Sequence, residues 1–360
     1  MKSLYIHIPF CKSICSYCDF CKLIYNEDLV LDYLDALDKE IKEHYQNEAV
    51  ETIYIGGGTP SVLSNKAITK LFEITSQINK SNLKEYTFEC NVNDINEKLI
   101  KILINEGINR ISIGVESFNK EKLKFMERNA DFKDVQEKVN LIKNLGITNI
   151  NIDLMYGIPN EDINILKRDL KLILKLMPTH ISTYSLILEN HTKLSSKNIE
   201  PIDEESEMKM YDYIRKKLEK KKYKHYEISN FALKDFESSH NLTYWNNDEY
   251  YGFGLGAHGY IEGFRYENTK NIEEYIKENF RLDEKLISYQ EDMENEVMLG
   301  LRKIDGINLQ KFFDKFEVNI QDVFPVKPLL KNKDLIYENG YIKINPEKIY
   351  LMNEILLKII

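Results

Sequence analysis

The sequence lacks long hydrophobic runs, an excess of basic charge and a secretion signal. No apolar run approaches the roughly 20 residues that a membrane-spanning helix needs. The first ten residues, MKSLYIHIPF, have neither the long apolar core nor the small-residue cleavage site of a signal peptide. The formal net charge is −9, which gives no support for a nucleic-acid-binding surface. The sequence therefore predicts a cytoplasmic protein that does not bind nucleic acid.

Cysteine is scarce outside one short segment. The chain has five cysteines, and four of them lie close together: Cys11, Cys15, Cys18 and Cys21. In a reducing compartment, such a cluster more often binds metal or performs redox chemistry than forms structural disulfides. The fifth, Cys90, lies inside a predicted strand and is expected to be a small buried apolar residue.

Short β-rich runs alternate with longer amphipathic runs over the first half of the chain. The predicted strands are Leu4–Ile8, Thr52–Ile55, Tyr86–Cys90, Arg110–Val115, Ile150–Leu154 and His180–Leu186. The predicted helices are Leu29–Tyr45, Ala67–Ile78, Ile95–Asn105, Lys120–Leu145 and Ile163–Leu176. Six such repeats indicate parallel strands joined by right-handed crossovers. The predicted fold class is α/β, a partial (βα)6 barrel like that of a TIM barrel.

The second half of the chain departs from this rhythm. The barrel domain is predicted over residues 1–285, with an extension over about 187–285 that is charged and mostly helical from Glu189 to Lys222. Residues 286–360 are predicted to form a small α+β domain resembling a winged helix. There, helices near Met293–Arg302 and Leu309–Phe316 precede a hairpin turn at Asn339-Gly340.

Several chemically suited residues follow predicted strands, where ligands bind in parallel α/β folds. They are the cysteine run, the GGGTP segment Gly56–Pro60, and the acids Glu89, Glu116 and Asp153. Because the carboxyl ends of the strands meet at one end of a barrel, we expect these residues to converge.

The spacing C-x3-C-x2-C of Cys11, Cys15 and Cys18 suits three corners of an iron–sulfur cubane, with the fourth iron left open. A zinc site and a disulfide are the alternatives. Zinc sites usually pair two close ligands with two distant ones, and the sequence has no distant C-x2-C pair. Gly57 and Gly58 permit a close approach of the backbone to a ligand, although a tight βα turn also explains them.

Eight segments, in order along the chain, carry a family resemblance. They are YIHIPFCKSICSYCDF, GGGTPS, RISIGVESF, NIDLMYGIP, HISTYSL, HYEISNFA, HNLTYWN and GLGAHGY. Together they resemble the oxygen-independent coproporphyrinogen III oxidase family of the radical S-adenosylmethionine superfamily, and most closely its heme-chaperone branch. The resemblance implies a radical S-adenosylmethionine barrel whose [4Fe–4S] cluster is held by Cys11, Cys15 and Cys18. The open iron of that cluster would bind S-adenosylmethionine.

By position, the resemblance implies ten residues around S-adenosylmethionine. They are Tyr5, Gly57, Gly58, Thr59, Glu89, Glu116, Arg128, Asp153, Ser185 and His258. Glu89 and Asp153 suit ribose hydroxyls and the amino group, Arg128 suits the carboxylate, and His258 is placed near the adenosyl end. The chain departs from the family pattern at Glu116, where glutamine is usual, and at Glu127, where glycine is usual.

The resemblance leaves two functions to weigh. One is a heme chaperone that binds heme as cargo and transfers it to an acceptor protein. The other is an oxidase that converts two propionate side chains of coproporphyrinogen III into vinyl groups. The oxidases carry a fourth cysteine where this chain has Phe20, and they have an extension before the first strand. The chaperone is therefore the favoured hypothesis, and no oxidase activity is expected.

The HNLTYW segment matches a pattern of the chaperone branch. It makes His240 the candidate heme-iron ligand, and it places Tyr244 and Trp245 where their rings could pack on the macrocycle. A hydrogen-bonded loop histidine and ordinary core packing are the alternative explanations. The resemblance further implies a respiratory or membrane-associated heme acceptor, and it is compatible with peripheral membrane association and with a dimer.

Overall fold

The computed structural model describes residues 2–190, 192–197 and 199–360. Its first half consists of six βα repeats. The strands are β1 (Lys2–Ile8), β2 (Val50–Gly57), β3 (Glu85–Asn91), β4 (Arg110–Glu116), β5 (Asn149–Tyr156) and β6 (His180–Ser185). They pair in parallel in that order. The six predicted strands and the partial barrel are confirmed.

The helices of the repeats cover the outside of this sheet. They are α1 (Glu27–His44), α2 (Asn65–Thr75), α3 (Glu97–Asn105), α4 (Lys120–Phe125), α5 (Phe132–Asn144) and α6 (Ile163–Leu176). Side chains of asparagine, serine or aspartate cap each helix N-terminus, for example Asn26 on the Leu29 N–H at 3.0 Å. The core lies between the helices and strands, and Leu4, Ile6 and Ile8 of β1 are fully buried in it.

The prediction of one helix over Lys120–Leu145 is wrong, because the chain breaks between α4 and α5. Glu127 adopts a left-handed backbone with φ +55°, which no helix continues through. Asp131 then caps α5 by accepting a hydrogen bond from the Lys133 N–H at 2.8 Å. The break places Arg128 against the cysteine segment, so it shapes the site.

The extension lengthens the sheet at both ends. It supplies α7 (Glu204–Glu219), β7 (Lys224–Glu227), β8 (Asn230–Ala232), α8 (Ser239–Trp245), β9 (Tyr250–Phe253), β10 (His258–Ile261), β11 (Phe264–Asn268), α9 (Ile272–Ile276) and β12 (Arg281–Leu286). The complete order is β12-β11-β10-β9-β1-β2-β3-β4-β5-β6-β8-β7.

The structure differs from the sequence expectation at two places in this extension. The glycine-rich segment YYGFGLGAHGY contributes β9, a seventh parallel strand beside β1, and then β10. Glu189–Lys222 is predicted to be mostly helical, but its α-helix is confined to α7. Positions 191 and 198 of that predicted segment lie outside the described residues. The expected boundary at 285 falls within β12, one residue before that strand ends.

The C-terminal segment forms a three-stranded antiparallel sheet with helices around it. Its elements are α10 (Tyr289–Gly300), β13 (Ile307–Asn308), α11 (Leu309–Phe316), α12 (Ile320–Val323), α13 (Val326–Lys331), β14 (Leu335–Glu338), β15 (Tyr341–Ile344) and α14 (Met352–Leu356). Asn339 and Gly340 have φ of +50° and +83° in the β14–β15 turn, as a type I′ hairpin requires. The winged-helix-like prediction is confirmed.

This segment also covers one edge of the long sheet. Ile304 N–H donates to the Tyr226 carbonyl at 3.1 Å, and Ile228 N–H donates to the Arg302 carbonyl at 3.1 Å. Edge strand β7 is therefore paired, whereas β12 at the opposite end has one free edge in the described sheet. Within the described residues, no helix is both long enough and apolar enough to cross a bilayer.

Candidate functional site

A cavity of about 690 Å³ opens at the carboxyl ends of the barrel strands. Each strand from β2 to β6 contributes lining residues, and the cysteine segment after β1 contributes three thiols. Eleven of the predicted cluster and S-adenosylmethionine residues line it: Cys11, Cys15, Cys18, Gly57, Gly58, Thr59, Glu89, Glu116, Arg128, Asp153 and Ser185. The topology thus brings together residues that are far apart in the sequence.

The cysteine segment is held over this cavity by the neighbouring loops. Thr59 Oγ1 donates to Cys11 Sγ at 3.6 Å, and Arg128 Nη1 donates to Cys15 Sγ at 3.5 Å. Gly58 lies so close that an added Cβ would meet the Phe10 carbonyl oxygen at 2.9 Å and Cys11 Sγ at 3.0 Å. Glycine is therefore required at position 58 for the loop to approach the thiols.

The three thiols provide the donor set that a cluster with one open iron needs. Burial raises the pKa of the Cys11 thiol, and it raises the pKa of the Cys18 thiol to about 11, so both would release protons on binding metal. In the described part of the chain, no three His, Cys, Asp or Glu side chains enclose a single metal ion. A cubane is larger than one ion, and three thiols facing a wide cavity fit it.

The remaining two cysteines are placed differently. Cys21 lines a second cavity and not the main one, and its carbonyl oxygen accepts a hydrogen bond from His7 Nε2 at 2.8 Å. Cys90 is 4% exposed within β3. Cys90 also borders the main cavity, from β3. That neither thiol is a cluster ligand remains a prediction.

Glu89 connects the strand β3 to the glycine segment. Its Oε1 accepts from the Tyr54 hydroxyl at 2.6 Å, and its Oε2 accepts from the Gly57 N–H at 3.0 Å. The absence of a side chain at Gly56 makes space for this carboxyl group, because a Cβ there would lie 2.7 Å from the Glu89 carboxyl carbon. Burial raises the pKa of Glu89. This carboxyl group orients the backbone that faces the cavity.

Three ionisable side chains, Asp153, Glu116 and Arg128, line the cavity together. Burial, together with the nearby Glu116 and Glu89, raises the pKa of Asp153 to about 7. Glu116 has a left-handed backbone with φ +67°, and its buried Oε2 has no hydrogen-bond partner among the described residues. Arg128 Nη2 donates to the Gly114 carbonyl oxygen. An unpaired buried carboxylate oxygen beside a guanidinium favours a ligand that carries both a donor and a carboxylate.

Two residues predicted to contact S-adenosylmethionine do not line the main cavity. Tyr5 lies in β1, and its hydroxyl is hydrogen-bonded to His7 Nδ1 at 2.9 Å. His258 begins β10, which the chain places beyond β9 and β1 at the other side of the cysteine segment. Both line the second cavity. Contact of these two residues with S-adenosylmethionine therefore remains a prediction.

The HNLTYW segment forms α8, and its residues separate. His240 is 1% exposed, its Nδ1 lies 2.7 Å from Thr52 Oγ1 and its Nε2 lies 2.8 Å from the Tyr244 hydroxyl. Burial lowers the pKa of His240 to about 3. With both nitrogens engaged in the core, His240 is not available to ligate heme iron in this structure. Tyr244 and Trp245 line the second cavity.

Sequence reasoning missed Arg110 and Asn151, which line the main cavity from β4 and β5. Arg110 is 2% exposed, and its Nε has no partner within the described part of the chain. Asn151 donates to Asp153 Oδ1 at 2.7 Å. The sequence does contain a signal for these two residues, because burying a polar side chain in a strand costs free energy unless the side chain is hydrogen-bonded or binds a ligand.

A model of the radical SAM superfamily matches residues 5–173, and one of the HemN C-terminal domain matches residues 287–351. The heme chaperone HemW of Lactococcus lactis subsp. lactis is 39% identical over 346 residues, which cover 94% of this chain and 91% of that protein. The chain belongs to the HemW family.

Other members of the HemW family match over similar lengths. The heme chaperone HemW of Bacillus subtilis is 37% identical, over 98% of this chain and 96% of that protein. Among solved structures, the coproporphyrinogen III oxidase HemN of Escherichia coli superposes with a TM-score of 0.87 at 22% identity, covering 99% of this chain and 89% of that one. At that identity the likeness bears on the fold alone. Membership of the radical SAM superfamily implies a [4Fe–4S] cluster and S-adenosylmethionine as cofactors.

Proposed function

We propose that this HemW-family chain is a heme chaperone, which binds heme and transfers it to an acceptor protein. The observation that carries the proposal is the identity to proteins named heme chaperones over almost the whole chain. The acceptor is a heme protein, and a respiratory or membrane-associated cytochrome is the class that the family suggests.

In this proposal, Cys11, Cys15 and Cys18 ligate the [4Fe–4S] cluster. When bound, the cluster supplies one-electron chemistry toward the sulfonium of S-adenosylmethionine. The common cavity of the three thiols, and the Thr59 and Arg128 hydrogen bonds to Cys11 and Cys15, support the assignment. Donors to thiolate sulfur hold the ligands in place and temper their charge.

The same cavity is proposed to hold S-adenosylmethionine. Gly57, Gly58 and Thr59 offer backbone groups to its amino end, and Arg128 is the cation for its carboxylate. Asp153 and Glu89 accept from ribose hydroxyl groups, with Ser185 at the cavity wall. Because the pKa of Asp153 is about 7, this carboxyl group can either donate or accept near neutral pH.

Phe20 supports the chaperone over the oxidase. It stands where the oxidases have a fourth cysteine, and its side chain is 62% exposed between the two cavities that it lines. Cys21, one position later, faces the second cavity. The thiol lies one position later in this chain, at 21 instead of 20. It therefore lies outside the main cavity, which is the space in which a porphyrinogen propionate would react.

The test uses full-length protein reconstituted with iron and sulfide under anaerobic conditions. Heme is titrated and followed by the Soret band, and coproporphyrinogen III is supplied in parallel with S-adenosylmethionine and dithionite. We expect saturable heme binding and no vinyl product. Cys11→Ser is expected to lower iron and sulfide content, while Cys21→Ser serves as the matched control with cluster content unchanged.

Two results would contradict the proposal. Formation of vinyl product over multiple turnovers would make the chain an oxidase. Absence of saturable heme binding by protein with a full cluster would remove the carrier function. Transfer is then measured by mixing heme-loaded protein with apomyoglobin, where the rate is expected to rise with acceptor concentration.

A further inference from the structure

The second cavity borders the cysteine segment and has a volume of about 510 Å³. Asp19 and Phe20 line both cavities, so they separate the two spaces. None of the eleven residues that were placed around the cluster and S-adenosylmethionine in the main cavity lines this second one. Its size lies within the range of small-molecule and cofactor sites. It is therefore a separate candidate binding site.

Large aromatic rings dominate the walls of this cavity. Phe20, Tyr244, Trp245 and Tyr250 all line it, and Phe20 is 62% exposed. Tyr244 and Tyr250 pack edge to face at a centroid distance of 4.7 Å. Aromatic faces bury flat apolar ligands well. The walls thus favour a large planar molecule.

Two histidines line the cavity, and only one has nitrogens free of hydrogen bonds among the described residues. His7 Nε2 is 2.8 Å from the Cys21 carbonyl oxygen, to which it donates, so its Nδ1 accepts from the Tyr5 hydroxyl. His258 is 59% exposed, and its closest acid contact is Glu267 Oε1, 3.7 Å from Nε2. A metal-ligating imidazole commonly directs its other nitrogen at a carboxylate.

A cation completes the set at the same edge. Lys270 lines the cavity, its side chain is 61% exposed, and its Nζ lies 2.5 Å from Glu267 Oε1. An ammonium group at the rim of an apolar cavity suits a ligand that carries carboxylates at one end. The cavity therefore combines aromatic walls, one available imidazole and one cation.

We propose that this second cavity is the heme site and that the His258 imidazole is an axial ligand of the heme iron. Trp245, Tyr250 and Phe20 contact the macrocycle, and Lys270 pairs with a propionate. The inference rests on the proposed function and deepens it, because it names the cavity that holds heme and the axial ligand of the heme iron. It also replaces His240, whose nitrogens are engaged in the core.

The experiment is a heme titration of the anaerobically reconstituted full-length protein and its His258→Ala variant. Loss of an outer partner of a metal ligand already costs roughly ten- to a hundredfold in affinity. Removal of the ligand itself should therefore weaken heme binding by at least about tenfold and shift the Soret band. Added imidazole is expected to restore the wild-type spectrum. His44→Ala, a half-buried histidine that lines neither cavity, is the matched control.

His258→Gln repeats the test with a side chain of similar size, and cluster content reports whether each variant is folded. A His258 variant that binds heme with wild-type affinity and spectrum overturns the inference. Loss of the heme spectrum in Cys21→Ser or His240→Ala, but not in His258→Ala, also overturns it and assigns the ligand elsewhere. In both cases the proposed function stands, whereas wild-type protein that binds no heme overturns the function itself.

Discussion

Glu227 is a buried carboxyl group at the junction of the barrel with the C-terminal segment. Its Oε2 accepts from the Ser229 N–H at 3.1 Å, and its Oε1 has no partner among the described residues. Burial raises its pKa to about 7. Between the unfolded pKa near 4.5 and this value, the folded state holds a proton that the unfolded state releases. Stability is therefore lost as pH rises through that window.

Glu227→Gln should remove this loss. The difference in the free energy of unfolding between this variant and the parent should therefore be larger at pH 8 than at pH 5, by roughly 2 to 3 kcal/mol. Urea unfolding at both pH values measures it. Glu219→Gln, at an exposed position of α7, is the control with no such dependence. A Glu227→Gln variant whose advantage is equal at both pH values would mean that this carboxyl group is already ionised.

The histidines show what sequence can and cannot decide at this scale. His240 and Tyr244 are four residues apart, so the helical spacing alone predicts that they share a face. Whether that face points to the core or to a cavity depends on Ser3 and Thr52, which lie far from α8 in the sequence. These two side chains, on the neighbouring strands β1 and β2, hydrogen-bond each other at 2.8 Å beneath α8. His258 was recognised, but its cavity exists only because β9 inserts beside β1.

At the scale of elements, the break between α4 and α5 was beyond the sequence pattern. Neither glycine nor proline marks it, and apolar residues recur through it at helical spacing. The decisive contact is tertiary: Arg128 leaves the helix axis to reach Cys15 and the Gly114 carbonyl. In contrast, local signals sufficed for α6, where Asp162 caps the N-terminus and Pro178 follows the end.

Helix α4 is anchored by a buried ion cluster. Lys122 Nζ lies 2.6 Å from Glu161 Oε1 and 3.2 Å from Asp169 Oδ2, and all three side chains are less than 5% exposed. It also donates to the Met155 carbonyl oxygen at 2.9 Å. The cluster joins α4 to α6 and to the loop after β5.

Lys122→Met should leave two acids buried without their cation. Removal of one partner from a buried ion pair typically costs about 3 to 5 kcal/mol, and we expect a loss of that size in the free energy of unfolding. Lys124→Met, at an exposed position of the same helix, should change stability by less than about 0.5 kcal/mol. Equal stability of the two variants would show that the cluster contributes nothing to holding α4.

At the scale of the whole molecule, the two cavities share one wall. Asp19 and Phe20 line both, so cargo and cofactor are proposed to occupy adjacent but distinct spaces. The sequence predicted residues for both ligands. It could not assign them to two cavities, because the pairing of β9 with β1 joins strands that lie far apart in the chain.

Heme and S-adenosylmethionine should therefore bind together. The heme dissociation constant is expected to change less than about twofold when S-adenosylmethionine is saturating, since two ligands that do not overlap couple only through the wall. Heme titrations with and without S-adenosylmethionine measure this. Mutual exclusion would place heme in the main cavity. Phe20→Ala, which thins the wall, is the variant in which coupling should appear.

The long sheet has unequal ends. One edge strand is bridged by the C-terminal segment, while β12 presents open backbone groups together with Leu282 and Leu286, each 60% exposed. Four charged residues interrupt this strand: Arg281, Asp283, Glu284 and Lys285. Open strands recruit like strands from other molecules unless charge prevents it. Neutralising these charges would favour pairing of this open edge with strands of other molecules, so the charges oppose self-association.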